Sequence, residues 1–327
     1  MEFLEHLPYH SDEQDTGPVP GEEVGESWFL ENLPFHLDTE PAELTVSVPL
    51  RLRKTKSRPL TEKLLNVKRS EKIDLMAARR FSHGTYKQKL VLIKEHPCHP
   101  LLLLKYTNNV GWDKKWDRVP NFIRESNGLV VDYYGNIVTR PIQKFFNWDE
   151  VESMPIGKGR LVEKLDGSII NVSHWMGNRI VSSHGSFASD QSKKAEHILD
   201  TKYSHIHLDS NFTYCFEVIY PTNRVIVDYG ELVDLFLFAK IETVTGIEED
   251  CFFEQFAKPK IQYVFENLKT VEELLDIFSG LDSDCYSCQT PIQEGSVLEI
   301  KDCRIKIKTD AWFCEKNRLK NAKKIKK

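Results

Sequence analysis

The first 50 residues contain no lysine or arginine, although they hold twelve acids between Glu2 and Glu43. Behind them stand 37 acids against 44 bases, so a chain of 327 residues with net charge −5 divides into a front of −12 and a body of +7. An acidic segment ahead of a basic body points to a polyanionic partner. Long apolar runs are also lacking: Leu101–Leu104 is closed at once by Lys105, far short of the roughly 18 residues of a membrane span. No membrane association is expected. The start, Met1-Glu2 with Glu5 close behind, has neither the cationic nor the apolar part of a secretory signal. Cysteines are few and odd in number, seven from Cys98 to Cys314, which fits reduced thiols in a cytoplasmic or nuclear protein. Cys285 and Cys288 have zinc-like spacing but no second pair to complete a site. With 40% hydrophobic residues, the chain needs neither disulfide nor metal to fold.

Residues 1–50 are rich in Pro and Gly and show no periodicity, so a mostly disordered acidic tail is expected there. Within it Phe3-Leu4-Glu5-His6-Leu7-Pro8-Tyr9-His10 recurs as Phe29-Leu30-Glu31-Asn32-Leu33-Pro34-Phe35-His36. This is either a duplicated docking motif for a protein partner or a neutral duplication. Residues 51–85 read as a basic connector, with eight bases and one acid between Arg51 and Ser70. A folded domain is expected over 86–315 and a basic tail over 316–327, where seven cations either track a nucleic-acid backbone or serve as a solubilising tail or nuclear address. A hairpin is predicted around Met176-Gly177-Asn178, and strands over 212–220 and 234–239. Helices are predicted over 189–199 and 271–278, the second opened by a Thr270/Glu273 capping box and stopped at Gly280. Strands that return by turns with few helices between them give an α+β class.

Four places carry candidate chemistry. Glu163-Lys164-Leu165-Asp166-Gly167-Ser168 sets a lysine beside an acid and a glycine, and a lysine becomes a nucleophile only when deprotonated. Arg304-Ile305-Lys306-Ile307-Lys308 alternates, so as a strand it puts three cations on one face, either a phosphate wall or an ordinary amphipathic edge. Glu294 stands beside Gly295 just ahead of that strand, and Glu217 interrupts an apolar strand, where it needs a partner, a task or a solvated face. Nucleotidyl transfer requires a divalent cation and carboxylates to hold it.

In this order the segments resemble the covalent nucleotidyltransferase superfamily of ATP-dependent ligases and capping guanylyltransferases, and within it the RNA ligase 1 family of bacteriophage type, whose ligase domain also occurs in fungal tRNA ligases. The likeness runs from Asn127 to Trp312. It includes Asn127-Gly128-Leu129-Val130-Val131, the run Val138 to Asn147, Ser183-His184-Gly185-Ser186-Phe187, and the distinctive Phe216 to Tyr229 with its Pro221-Thr222-Asn223-Arg224.

The resemblance implies a nucleotidyltransferase (ATP-grasp-like) domain of two antiparallel sheets flanked by helices, with the nucleotide between them. It implies a monomer that uses ATP and Mg²⁺ or Mn²⁺ to join RNA 5′-phosphate and 3′-hydroxyl ends, in RNA repair or tRNA splicing, through lysyl-AMP and an adenylylated RNA end. Lys164 is the implied nucleophile; Lys306 and Lys308 act with it on the α-phosphate. Lys144, Glu163, Asp166, Gly167 and Glu217 contact the nucleotide, and Glu294 and Glu217 hold the metal. Two positions depart from the family pattern: Asn127 stands where arginine is usual, and His184 where lysine is usual. Arg124 is the nearest cation to replace the first. With 19 residues after Lys308, no following oligonucleotide-binding domain is expected. A guanylyltransferase or a non-catalytic RNA binder remain the alternatives.

Overall fold

The computed structural model describes residues 69–83, 89–112, 116, 119–150, 156–251, 254–283, 292–300 and 303–325. The acidic segment with its repeat, most of the connector, and Cys285 and Cys288 lie outside the described residues. In chain order the elements are α1 (Leu75–Ser82), β1 (Val91–Glu95), β2 (Leu101–Tyr106), α2 (Asn108–Trp112), α3 (Asn121–Glu125), β3 (Asn127–Asp132), β4 (Ile137–Thr139), β5 (Phe146–Asn147), β6 (Gly157–Lys164), β7 (Ser168–Trp175) and β8 (Asn178–Ser183). There follow α4 (Asp190–Thr201), β9 (Phe212–Ile219), β10 (Asp234–Glu242), β11 (Glu248–Glu249), β12 (Ile261–Leu268), α5 (Val271–Ser283), β13 (Gly295–Ile300), β14 (Cys303–Lys308) and α6 (Asp310–Ile325). No helix among the described residues is long and apolar enough to cross a membrane.

The α+β class holds, with two five-stranded sheets in the orders β11-β10-β9-β7-β8 and β12-β6-β13-β14-β5. The first is antiparallel; in the second β14 and β5 pair in parallel. The expected pair of sheets is joined by a third, four-stranded sheet, β1-β2-β3-β4. Its central strand explains why the sequence hides it. Leu102 and Leu104 enter one core, whereas Leu101 and Leu103 enter another with Val130, Val138 and Ile180. A strand buried on both faces shows no polar alternation.

Each large sheet is covered on one face. Ala195, Ile198 and Leu199 of α4 pack on Ile170, Val172, Phe216 and Leu237, while Leu274 and Phe278 of α5 pack with Leu161, Leu298, Ile305 and Ile307. Each such leucine or phenylalanine contributes about 1.5–3 kcal/mol. Strand alternation then directs Lys306, Lys308 and Glu217 away from these cores. The predicted hairpin is present, with Met176 (φ 48°) and Gly177 (φ 78°) forming its turn. Thr270 Oγ1 accepts from Glu273 N (3.1 Å) as predicted, but α5 runs past Gly280 to Ser283.

Two boundaries move. The folded body begins before residue 86, because Asp74 caps α1 through Met76 N and Ala77 N, and Ile73 and Ala78 are buried in the core. Arg79 and Arg80 lie on the exposed side of that helix, so basic composition masked an amphipathic element. At the other end the basic run from Lys316 belongs to α6, whose Leu319 packs with Trp312, Ile226 and Val227.

Candidate active site

Three strand ends meet where β6 finishes at Lys164, β13 begins at Gly295 and β14 finishes at Lys308. Gly295 lies opposite both lysines in register. The residue just ahead of it, Glu294, therefore falls between them: its Oε2 accepts from Lys164 Nζ at 2.6 Å and its Oε1 pairs with Lys308 Nζ at 2.9 Å. Only 4% of Glu294 is exposed, so this is a desolvated bridge with strong charge-assisted bonds. Gly295 makes it possible. Its φ is 145°, and a Cβ there would lie 2.0 Å from Ile307 O. Gly295→Ala is accordingly expected to cost at least about 1–3 kcal/mol and to displace Glu294, seen as a lower urea midpoint.

The loop after Lys164 is braced by the segment 221–229. Asp166 Oδ2 accepts from Ile226 N (2.7 Å) and Val227 N (2.8 Å), and Asp166 N donates to Tyr229 Oη at 2.9 Å. Asn223 Nδ2 donates to Ser168 Oγ at 3.1 Å. Gly167 N donates to Glu217 Oε1 at 3.0 Å, and a Cβ on Gly167 would lie 2.5 Å from Val218 O. The distinctive Pro-Thr-Asn-Arg run thus has a physical task, that of fixing the backbone beside the lysine.

Four lysines share the space. Burial pushes Lys306 down to about 7, and the charges of Lys144, Lys308 and Lys164 add to it. Burial also lowers Lys144, against Glu150, and Lys308, against its bond to Glu294. Lys144 and Lys306 Nζ each stand 5.5 Å from a ring centroid, of Phe146 and Phe145 respectively, and Lys308 Nζ stands 3.5 Å from that of Trp312. Burial pushes the Glu217 carboxyl up to about 8, with Glu294 adding and Lys164 opposing.

Crowded cations have a measurable consequence. Because Lys306 is depressed in the folded chain, the unfolded chain binds the extra proton between pH 7 and roughly 10.4, and stability rises with pH across that window. Lys306→Met is expected to gain on wild type as pH falls from 10 to 7, by more than about 1 kcal/mol at about 1.4 kcal/mol per unit, read by urea unfolding at both pH values.

Other predicted residues fall elsewhere. Glu163 alternates to the opposite side of β6 from Lys164; burial raises its carboxyl, against a backbone hydrogen bond from Lys260. Arg304 shares a face with Lys306 but is engaged by Glu248 and Glu299 and donates to Phe238 O, so the phosphate wall is made by lysines alone. Arg124 is 2% exposed, over the Phe146 ring at 5.7 Å, and burial pushes it down to about 10. The two departures from the family pattern adjoin, since a Cβ on Gly128 (φ 94°) would lie 3.0 Å from His184 Cα. A cavity of about 1140 Å³ includes Lys144 and Phe145 in its wall but none of Lys164, Glu217, Glu294, Lys306 or Lys308. It adjoins the cluster and is not its centre.

Arg140 was legible only as part of a run. Fully buried, it donates to Glu125 Oε2 (2.6 Å), Thr243 O (2.7 Å), and Ser70 O and Val244 O (both 2.8 Å). Trp312, under Lys308, likewise gave no separate signal.

Two sheets with a lysine cluster bridged by a buried glutamate at their strand ends define a nucleotidyltransferase-class domain. A family model described as RNA ligase, of the T4 type, matches residues 122–321, and the chain belongs to that family. Among solved structures it is similar to an archaeal ATP-dependent RNA ligase (14% identity, 73% of this chain and 62% of that one, TM-score 0.48) and to a putative ATP-dependent DNA ligase from Aquifex aeolicus (16%, 69% and 61%, 0.43). A Naegleria gruberi RNA ligase with PPi matches at 15% identity over 50% of this chain and 52% of that one, TM-score 0.37. The chain spans about six tenths of the length of the archaeal structures.

Proposed function

We propose that the chain is an ATP-dependent RNA ligase that seals 5′-phosphate to 3′-hydroxyl ends, with Lys164 as its nucleophile. The observation that carries this reading is the Lys164–Glu294–Lys308 bridge, set among Lys144 and Lys306 in a chain of the RNA ligase family. Glu294 Oε2, 2.6 Å from Lys164 Nζ, is placed to take the proton that Lys164 must lose. The neutral amine attacks the α-phosphorus of ATP, forming an N–P bond as pyrophosphate leaves. AMP passes to the RNA 5′-phosphate, and the 3′-hydroxyl then attacks that phosphate and expels AMP. Lys306, Lys308 and Lys144 meet the phosphate charge, which also relieves their mutual repulsion. Gly167 N and the braced Asp166 hold the Lys164 backbone still.

Glu294 and Glu217 suit a divalent cation: two neighbouring carboxylates, one raised by the other, match Mg²⁺ or Mn²⁺ held by few protein oxygens plus substrate phosphates. Among the described residues no cluster of three or more ligating side chains competes with that assignment. When bound, the cation withdraws charge from the phosphates. The test is sealing of a 5′-phosphorylated single-stranded RNA with ATP and Mg²⁺, scored as a 5′ label that phosphatase no longer removes. Sealing with ATP supports the reading, whereas no product with either metal, or a protein label from GTP alone, rejects it.

A further inference from the structure

Where the four-stranded sheet meets the β7–β8 hairpin, four rings form an unbroken row. Phe187 and His96 have centroids 4.6 Å apart, His96 and His99 4.7 Å, and His99 and Trp175 5.5 Å. All four are half-buried: Trp175 and Phe187 rest on the core of Leu101, Leu103, Val130, Val138 and Ile180 and leave the remainder of their surface to solvent. The row is preset. His96 Nδ1 accepts from Cys98 N and His99 N, both at 3.1 Å, and Leu101 N donates to His99 O at 2.7 Å, so the turn closes on the imidazole. Burial and the neighbouring His99 hold His96 below the usual imidazole value, which keeps it an uncharged ring at neutral pH.

The row also has a direction. Phe187 closes the segment Ser183–Phe187, where Gly185 lies against the Lys105 side chain, a Cβ there standing 3.4 Å from Lys105 Nζ. Strand β7 leads from Trp175 back to Ser168, which Asn223 ties beside the Lys164 loop. An ammonium at the end nearer the reaction centre, followed by flat rings at regular spacing, is chemistry that suits a single strand. Phosphates meet the cation and unpaired bases stack on the rings. Imidazoles stack well on bases and offer little to an aliphatic protein partner.

We infer that Phe187, His96, His99 and Trp175 form a base-stacking platform for single-stranded RNA leading away from the reaction centre. The inference rests on the RNA ligase reading, and its test separates the two. Binding of the full chain to a fluorescent single-stranded RNA of about 12 nucleotides is measured by anisotropy for wild type, for the pair His99→Leu with Trp175→Leu, and for the pair His99→Phe with Trp175→Tyr. The leucine pair keeps the seam covered but removes stacking faces, and is expected to bind about tenfold or more weakly; the aromatic pair should stay within about threefold. Self-labelling with ATP, which needs no RNA, is measured alongside and should be equal in all three. Wild-type affinity in the leucine pair overturns the platform, as does an equal loss in the aromatic pair with labelling intact. Ring-dependent binding without any label in the wild type would instead reject the ligase reading and leave the platform standing.

Discussion

Glu294→Gln is expected to slow transfer of AMP onto Lys164 by about 10²–10³-fold, the scale of losing one preorganised charge at a reaction centre. The shape of the side chain is kept, so the loss is one of charge. Glu294 faces Lys164 at 2.6 Å and Lys308 at 2.9 Å, with 4% exposure, and no water is placed to screen the two ammonium groups once the carboxylate is gone. The amide can neither accept the proton of Lys164 as a base nor hold a divalent cation as firmly. The check is the rate of label appearance at saturating ATP, where an unchanged rate would remove Glu294 from the chemistry. Raising Mn²⁺ should recover only part of the loss, because the proton acceptor is still missing.

Arg140→Met is expected to destabilise the fold by about 3–5 kcal/mol, the usual consequence of stranding one partner of a buried ion pair. Arg140 and Glu125 are both fully buried. The guanidinium joins three chain segments, with Ser70 ahead of α1, Glu125 at the end of α3, and Thr243 and Val244 beyond β10. Loss of the arginine leaves those carbonyls unpaired and Glu125 uncompensated except by Ser70 N at 2.8 Å and Arg69 at 3.7 Å. Urea unfolding of Arg140→Met, Glu125→Gln and the double variant closes a cycle. The double variant should fall well short of the sum of the singles, and strict additivity would show that the pair acts independently.

The candidate site was more legible than the fold around it, for a definite reason. Lys164, Glu294, Lys306 and Lys308 sit at strand ends whose alternation the sequence displays, and register does the rest. Glu217 interrupts an apolar strand, and the structure gives it Gly167 N and the field of Lys164. Glu163 and Arg304 carried the right charge in the right run, but strand alternation turns Glu163 away and two glutamates engage Arg304. The third sheet escaped because β2 is buried on both faces, which erases the period of two. Helix α1 escaped because its basic residues line an outer face. Arg140 and Trp312 act through partners 15 to 104 positions away in the chain or through packing with a distant loop, and no local pattern announces such contacts.

The most direct test is incubation of the full chain with α-labelled ATP and Mg²⁺, followed by a denaturing gel, for wild type and for Lys164→Ala shown to be folded by circular dichroism. An acid-labile label on the wild type that is absent from Lys164→Ala is the predicted result. Label that persists in Lys164→Ala, or a folded wild type that takes none from ATP, would contradict the assignment of Lys164 as the nucleophile of an ATP-dependent ligase.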